Sequence, residues 1–264
     1  MKGLVRMIDI NQVPIFSDIP SGELQQIIPL LRERQYKKNH VFMFENDQSD
    51  SIFILRSGKV KVYRGQEGKE VIMGIQFPGD VIGEAEALTG DSHRIATIEA
   101  LEPVAAWQIA KKDFLELVDR YPSILRRAYD IMFARVRVLN RTIRYLTFCD
   151  VRTKIANLIM DLYYNFGEQD GIAYKIDMKI NHSLLASMVG ITRESISKTL
   201  NDLQHEGIIE IRQKYIYVLD LKHLERICQE TEEVPELRKW QHGTALEQPV
   251  MNIAKEKLTM QLDR

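Results

Sequence analysis

The sequence predicts an α+β protein: an N-terminal antiparallel β-barrel or jelly roll, a long helix, and a C-terminal winged helix-turn-helix. Three observations predict it. Short β-rich runs separated by glycines fill the first half, and from Leu125 to Leu146 an apolar residue recurs in alternating steps of four and three. Between Asn181 and Gln204, NHSLLASMVGITRESISKTLNDLQ sets caps, a glycine and small residues where two helices must cross tightly. At 264 residues, 45% hydrophobic and 28% charged, the chain can bury two modest cores.

The barrel comes first. After a short amphipathic helix expected around Ser21 to Arg32, the apolar runs VFMF, SIFILRSGKVKVYRG, EVIMGIQFPGDVIGE, RIATIEA and VAAWQIA read as about eight strands. Gly58, Gly65, Gly68, Gly74, Gly79 and Gly90 are the expected turns, at the spacing of a small antiparallel barrel.

A helix is expected next, from about Pro122 to Phe148. Leu125, Tyr129, Met132, Val136, Leu139, Ile143 and Leu146 form a heptad seam along it. A single helix does not need such a seam, so a parallel homodimer is the economical reading and packing on the barrel the alternative. Arg126, Arg127, Arg135, Arg137, Arg141 and Arg144 crowd the other faces, to pair with acidic loops, to solvate the helix or to face a ligand.

In the helix-turn-helix, Asn181 caps a first helix whose Leu184, Leu185 and Met188 face inward, and Ala186 permits a close crossing. Gly190 allows the turn, Thr192 caps the second helix, and Ile196, Leu200 and Leu203 form its buried stripe. Arg193, Glu194, Ser197 and Lys198 are left on one exposed face near the helix N-terminus, the part of a recognition helix that meets base edges in a major groove. Taken alone, Glu194 and Lys198 also suit an ordinary helix ion pair. The Ala-Gly-Ile spacing with both caps favours the DNA-reading helix provided a wing and a dimer accompany it, and a wing follows: Gly207 ends the helix, and Ile208, Ile209 and Ile211 then Tyr215 to Val218 make two short strands around Arg212, Gln213 and Lys214. Arg212 and Lys214 at the tip suit phosphate contacts, and His182 and Ser183 at the start of the first helix complete the expected DNA-binding set.

Other functions are disfavoured. A formal net charge of -1 argues against a polybasic coat for nucleic acid, so any DNA contact rests on local placement. The start, MKGLVRMIDINQVPIF, lacks a long apolar core and no later run approaches a membrane span, which makes the cytoplasm the expected location, with no membrane partner. Cys149 and Cys228 are too few for a four-thiolate cluster. Neither His40 nor His93 has neighbouring ligands for a metal or haem, and with no nucleophile–base constellation the protein is not expected to be an enzyme.

With barrel, long helix and winged helix-turn-helix in this order, residues 14 to about 225 resemble the cyclic-AMP receptor protein and fumarate–nitrate-reduction regulator (Crp/Fnr) family of bacterial transcription regulators. The most specific pieces are FPGDVIGEAEALTGDSHRIATIEA, FCDVRTKIA and ITRESISKTL. The resemblance implies a cyclic-nucleotide-binding-like effector domain at 14–121, a dimerisation helix at 122–148 and a DNA-binding domain at 149–225, followed by an extension of unassigned role at 226–264. It further implies a transcription regulator with a palindromic DNA operator, a second copy of the chain and RNA polymerase as partners. Arg193, Glu194 and Lys198 occupy the family's base-contacting positions, Lys198 where an arginine is usual. An inverted pair of half-sites such as TGTGA or TTGAT, about 34 Å apart, is the expected operator.

For the effector, Gly83, Glu84 and Arg94 match the family's pattern for a cyclic nucleotide: close backbone approach, a carboxylate for the ribose hydroxyl, an arginine for the phosphate. Ile95 stands where a serine or alanine is expected, and Leu139 and Asn140 where hydroxyl residues would face the adenine. These departures argue against cyclic AMP. The expectation is control by another small effector, for example a carboxylate as in family members that sense 2-oxoglutarate, or by abundance alone. A cyclic-nucleotide-responsive regulator or sensor is the alternative, and a simple structural pairing of Arg94 with Glu84 or Glu86 would leave no site. No cofactor is expected.

Overall fold

The computed structural model describes residues 7–228 and 235–240, in two compact units that divide between Val136 and Arg137. The described part of the first unit opens with 3-10 turns at Ile10–Gln12 and Pro14–Phe16, followed by a short helix α1 (Ser21–Leu24) and a 3-10 turn at Ile28–Leu30. Eight strands follow: β1 (Arg32–Tyr36), β2 (Val41–Met43), β3 (Ser51–Ser57), β4 (Val60–Gln66), β5 (Lys69–Gln76) and β6 (Val81–Ile82), then helix α2 (Glu84–Thr89), β7 (Thr97–Ala100) and β8 (Val104–Ala110). Helix α3 (Lys111–Arg120) leads into α4 (Ser123–Phe148).

The strands form two antiparallel four-stranded sheets, ordered β1-β8-β3-β6 and β2-β7-β4-β5. Alternation along β3 serves two cores at once. Phe53 and Leu55 join Met43, Val60, Ile98 and Val104 in one cluster, while Ile52 and Ile54 meet Phe16, Ile27, Ile109, Phe114 and Ile124 in the other.

Three local expectations are corrected. The single helix expected over Ser21 to Arg32 breaks into one turn of α-helix and a 3-10 turn at Ile28–Leu30, because Pro29 has no backbone N–H to donate to the Gln25 carbonyl as a continued α-helix requires. Arg32 to Tyr36 is a strand that pairs only with β8, and its charged RERQY side chains suit an edge. Gly65 and Gly74 are not turns. Both lie within paired strands, Gly74 opposite Val62 beside a register shift, and the β4–β5 hairpin turns instead through Glu67 and Gly68, both at positive φ.

Helix α4 is continuous over 26 residues. Ile124 and Ala128 sink into the first unit's core, whereas Leu125, Tyr129, Met132, Phe133, Val136, Ile143 and Leu146 are exposed and Leu139 is half-buried.

In the second unit α5 (Val151–Phe166) starts at Asp150, whose carboxylate accepts from the Thr153 backbone N–H. Next come β9 (Gly167–Asp170), β10 (Ala173–Ile176), α6 (His182–Val189), α7 (Arg193–His205), β11 (Ile209–Arg212), β12 (Tyr215–Val218) and α8 (Leu221–Cys228), with a last 3-10 turn at Pro235–Arg238. The wing is one hairpin of a four-stranded sheet, β11-β12-β10-β9, and the β9–β10 half was not apparent from the sequence. The segment VMNIAKEKLTMQL, read as a further helix, lies outside the described residues.

Candidate DNA-reading face and buried polar site of the barrel

Both caps expected in the helix-turn-helix are formed. Asn181 Oδ1 accepts from the Leu184 N–H at 2.8 Å and Thr192 Oγ1 from the Ser195 N–H at 3.2 Å, each satisfying a backbone donor left open by the first turn of α6 or α7. Gly190 ends α6 at φ 62°, a left-handed conformation, and a Cβ there would come within 3.1 Å of Leu146 Cδ2. Leu184, Leu185, Ala186, Met188, Ile196, Leu200 and Leu203 are buried between the helices and the rest of the unit.

This packing turns Arg193, Glu194 and Lys198 to solvent, with Ser197 half-buried beside them. Glu194 does not pair with Lys198. Its own backbone N–H and the Thr192 hydroxyl hold its carboxylate below the usual range, at the positive end of the α7 dipole. Lys198 projects into solvent. On α6, His182 is exposed and Ser183 half-buried.

The wing tip is tight. Gln213 and Lys214, at φ 49° and 71°, make a two-residue turn of the kind that glycine or asparagine usually fills. Lys214 is exposed, and its carbonyl accepts from Ile180 N–H at 3.0 Å, tying the tip to the strand of chain that enters α6. Arg212 is already engaged: it forks onto Glu210, 2.6 Å from Nε to Oε1, and lies 5.0 Å from the Tyr217 ring centroid. Residues that the sequence did not single out brace this face. Arg152 of α5 grips Glu206 through two bonds of 2.8 and 2.6 Å, holding the C-terminal end of α7, and Lys175 lies 4.4 Å from the Tyr215 ring. Arg152 and Glu206 are 54 residues apart, so no local pattern announces their pair.

In the barrel, Glu84 and Arg94 are buried but not paired with each other, so of the two carboxylates expected as a structural partner of Arg94 only Glu86 acts on it, through its charge. Glu84 is fully buried and its Oε1 accepts from Arg135 Nη1 at 2.5 Å, while Arg135 Nη2 donates to the Val81 carbonyl at 2.6 Å. Burial opposes the Arg135 charge, but Glu84 and Asp80 outweigh it and raise its pKa. Arg94, 4% exposed, donates from Nη2 to the Ser51 carbonyl at 2.5 Å, and Asp50 stands 3.8 Å away. Burial depresses its pKa, partly offset by Glu86 and Asp50.

Each of these two residues leaves one atom over: Glu84 Oε2 and Arg94 Nη1 are buried without a hydrogen-bond partner, as are Ser49 Oγ and Arg56 Nε elsewhere in the first unit. Gly83, at φ 86°, lies so close that a Cβ would meet Arg94 Nη1 at 2.3 Å. Ile95 is 59% exposed and its N–H donates to Glu86 Oε1 at 3.3 Å, so its bulk faces outward rather than filling the barrel core. Leu139 and Asn140 sit on the second half of α4, half-buried and exposed respectively.

Comparison with known proteins agrees with this arrangement. Residues 33–121 match the family model of the cyclic nucleotide-binding domain and residues 153–227 that of the Crp-like helix-turn-helix domain. The chain belongs to the Crp/Fnr family. It is 25% identical over 213 residues to the CRP-like cAMP-activated global transcriptional regulator of Mycobacterium tuberculosis, covering 80% of this chain and 95% of that protein. Against the global nitrogen regulator of Synechococcus elongatus it is 25% identical over 210 residues, covering 78% and 91%. Among solved structures, a CooA variant from Carboxydothermus hydrogenoformans superposes with a TM-score of 0.69 at 25% identity, covering 84% of this chain and 98% of that one. As a family member the chain is a transcription regulator with a helix-turn-helix DNA-binding domain, and the relatives it matches are regulators rather than enzymes. Among the described residues no helix is long and apolar enough to cross a membrane.

Proposed function

We propose that the protein is a homodimeric, sequence-specific regulator that reads a palindromic operator and answers a small anionic effector other than cyclic AMP. Residues 14–121 act as the effector domain, 122–148 as the dimerisation helix and 149–225 as the DNA-binding domain. The observation that carries the DNA reading is the exposed polar face of α7: Arg193 and Lys198 are exposed beside Glu194 at a capped helix N-terminus. Arg193 suits a bidentate contact to guanine, Glu194 accepts from cytosine N4, and Lys198 reaches a second guanine or a phosphate with less discrimination than an arginine fork. Ser197 adds a hydroxyl. His182, Ser183 and Lys214 supply phosphate contacts, and Arg212 joins them by exchanging Glu210 for a phosphate.

The unpartnered Arg94 Nη1 and Glu84 Oε2 favour an effector over control by abundance alone, because a buried polar atom without a partner is costly, and an anion would satisfy the first as a hydroxyl would the second. Several relatives are named for activation by cAMP. Ile95 offers no hydroxyl to a cyclic phosphate, and Leu139 none to a base. Selection of bound DNA from random sequence, with and without cyclic nucleotides and acidic metabolites, tests both halves. One inverted repeat enriched by an acidic metabolite is expected. No repeat under any condition would overturn the operator reading, and enrichment by cyclic AMP alone the effector reading.

A further inference from the structure

The second unit contains a buried polar network that joins three elements, one of them beyond residue 227, where the helix-turn-helix match ends. Along α5, Asn157, Asp161 and Asn165 recur every four residues, a polar stripe on a face whose neighbours Leu158, Ile159 and Leu162 are buried. All three polar residues are themselves buried. Such a stripe is tolerated only when partners cover it, since buried amides and carboxylates left without hydrogen bonds are strongly destabilising.

The segment 235–240 supplies that cover. Arg238, 4% exposed, donates from Nη1 to Asp161 Oδ1 at 2.8 Å and to the Tyr145 hydroxyl at 3.2 Å, and from Nη2 to Asn157 Oδ1 at 2.8 Å. Its carbonyl accepts from Asn165 Nδ2 at 3.0 Å. The Trp240 N–H donates to Asn165 Oδ1 at 2.8 Å, and its ring meets Phe166 edge-on at 5.6 Å. From α4, Arg141 reaches the same carboxylate, 3.3 Å from Nε to Asp161 Oδ2, and donates to the carbonyls of Leu237 and Arg238.

Arg141 and Tyr145 lie before the α4–α5 junction at Cys149 and Asp150; Asn157, Asp161 and Asn165 lie after it. We propose that residues 235–240 are an intramolecular clamp on this corner, with Arg238 as its anchor. The planar guanidinium is suited to the role, because two nitrogens held in one rigid fork serve a helix-borne carboxylate, an amide and a phenol, a geometry that the single ammonium of a lysine does not reproduce. The clamp ties the end of the long helix to the first helix of the DNA-binding domain, so the tail becomes a handle on the hinge: a protease or a partner that removes it loosens the corner while the barrel stays intact.

Hydrogen–deuterium exchange on the full chain without DNA tests this independently of the operator reading. Arg238→Gln is expected to speed amide exchange roughly tenfold or more across 141–150 and 157–166. The strands between residues 32 and 110 should keep their protection, and Arg238→Lys should give a smaller change in the same segments. Unchanged exchange at the corner in Arg238→Gln overturns the clamp. So does an equal rise in the barrel strands, which would mark a loss of global stability. Should Arg238→Gln fail to fold, Arg238→Lys and Tyr145→Phe carry the same test, and a corner unchanged in both overturns the proposal.

Discussion

Single side chains bear the chemistry, and each has a distinct test. Arg193→Ala is expected to lose roughly 1–3 kcal/mol of specific operator binding and to relax specificity at one base. Fluorescence anisotropy on the selected operator and its single-base variants reads both effects, and unchanged discrimination would remove Arg193 from the reading face. In the first unit, Asp18 accepts from Arg126 and Arg127 at 2.8 and 2.6 Å, and hydrogen bonds first from Arg127 and then from Arg126 bring its pKa down to about 2. A carboxylate depressed in the folded state stabilises above its unfolded pKa of about 4 and loses that contribution as the pH falls through its folded value. Asp18→Asn should therefore melt earlier than the parent at neutral pH, with the difference shrinking between about pH 4 and 2. A pH-independent gap in melting temperature would rule this out. Asp18 drew no attention in the sequence, because its partners lie 108 and 109 residues away.

The recognition unit depends on turns and caps at the scale of elements. Thr192→Ala removes the acceptor for the Ser195 N–H and should cost about 1 kcal/mol. Gly190→Ala forces a Cβ into a left-handed residue at φ 62° and should cost on the order of 1–2 kcal/mol, read by urea denaturation. The wing turn sets stability against binding. Asn-Gly in place of Gln213 and Lys214 relieves two non-glycine residues at positive φ, for a gain of roughly 1 kcal/mol. It also removes the exposed cation, so DNA affinity should fall and its salt dependence shrink by about one charge. A more stable protein with unaltered salt dependence would show that Lys214 meets no phosphate. Period and punctuation made these elements legible: α4, α6, α7 and the wing strands lie where the spacing of apolar residues and caps put them. Strand β1 was missed because an edge strand can be polar with no apolar alternation, as RERQY is, and α1 was drawn too long because Pro29 was not weighed.

For the whole molecule, the exposed row Leu125, Tyr129, Met132, Val136 and Ile143 is the surface expected to meet a second copy. Val136→Asp with Ile143→Asp would place unpaired charge in that seam, and sedimentation should then find monomers where the parent is dimeric. Operator affinity should drop on the order of 100-fold as the second half-site stops contributing. A parent chain that sediments as a monomer would remove the dimer from the proposed function.

Sequence by itself determined the order of barrel, long helix and winged helix-turn-helix, the polar quartet on α7 and the departure at Ile95. These depend on period, caps and residue type, which act between near neighbours. Tertiary structure alone decided how the charges are shared. Glu84 goes to Arg135 rather than Arg94, and Asp161 collects Arg141 and Arg238. A buried charge takes the partner that folding brings within a few ångströms, and when that partner lies 51 or 77 residues away no spacing along the chain can announce it.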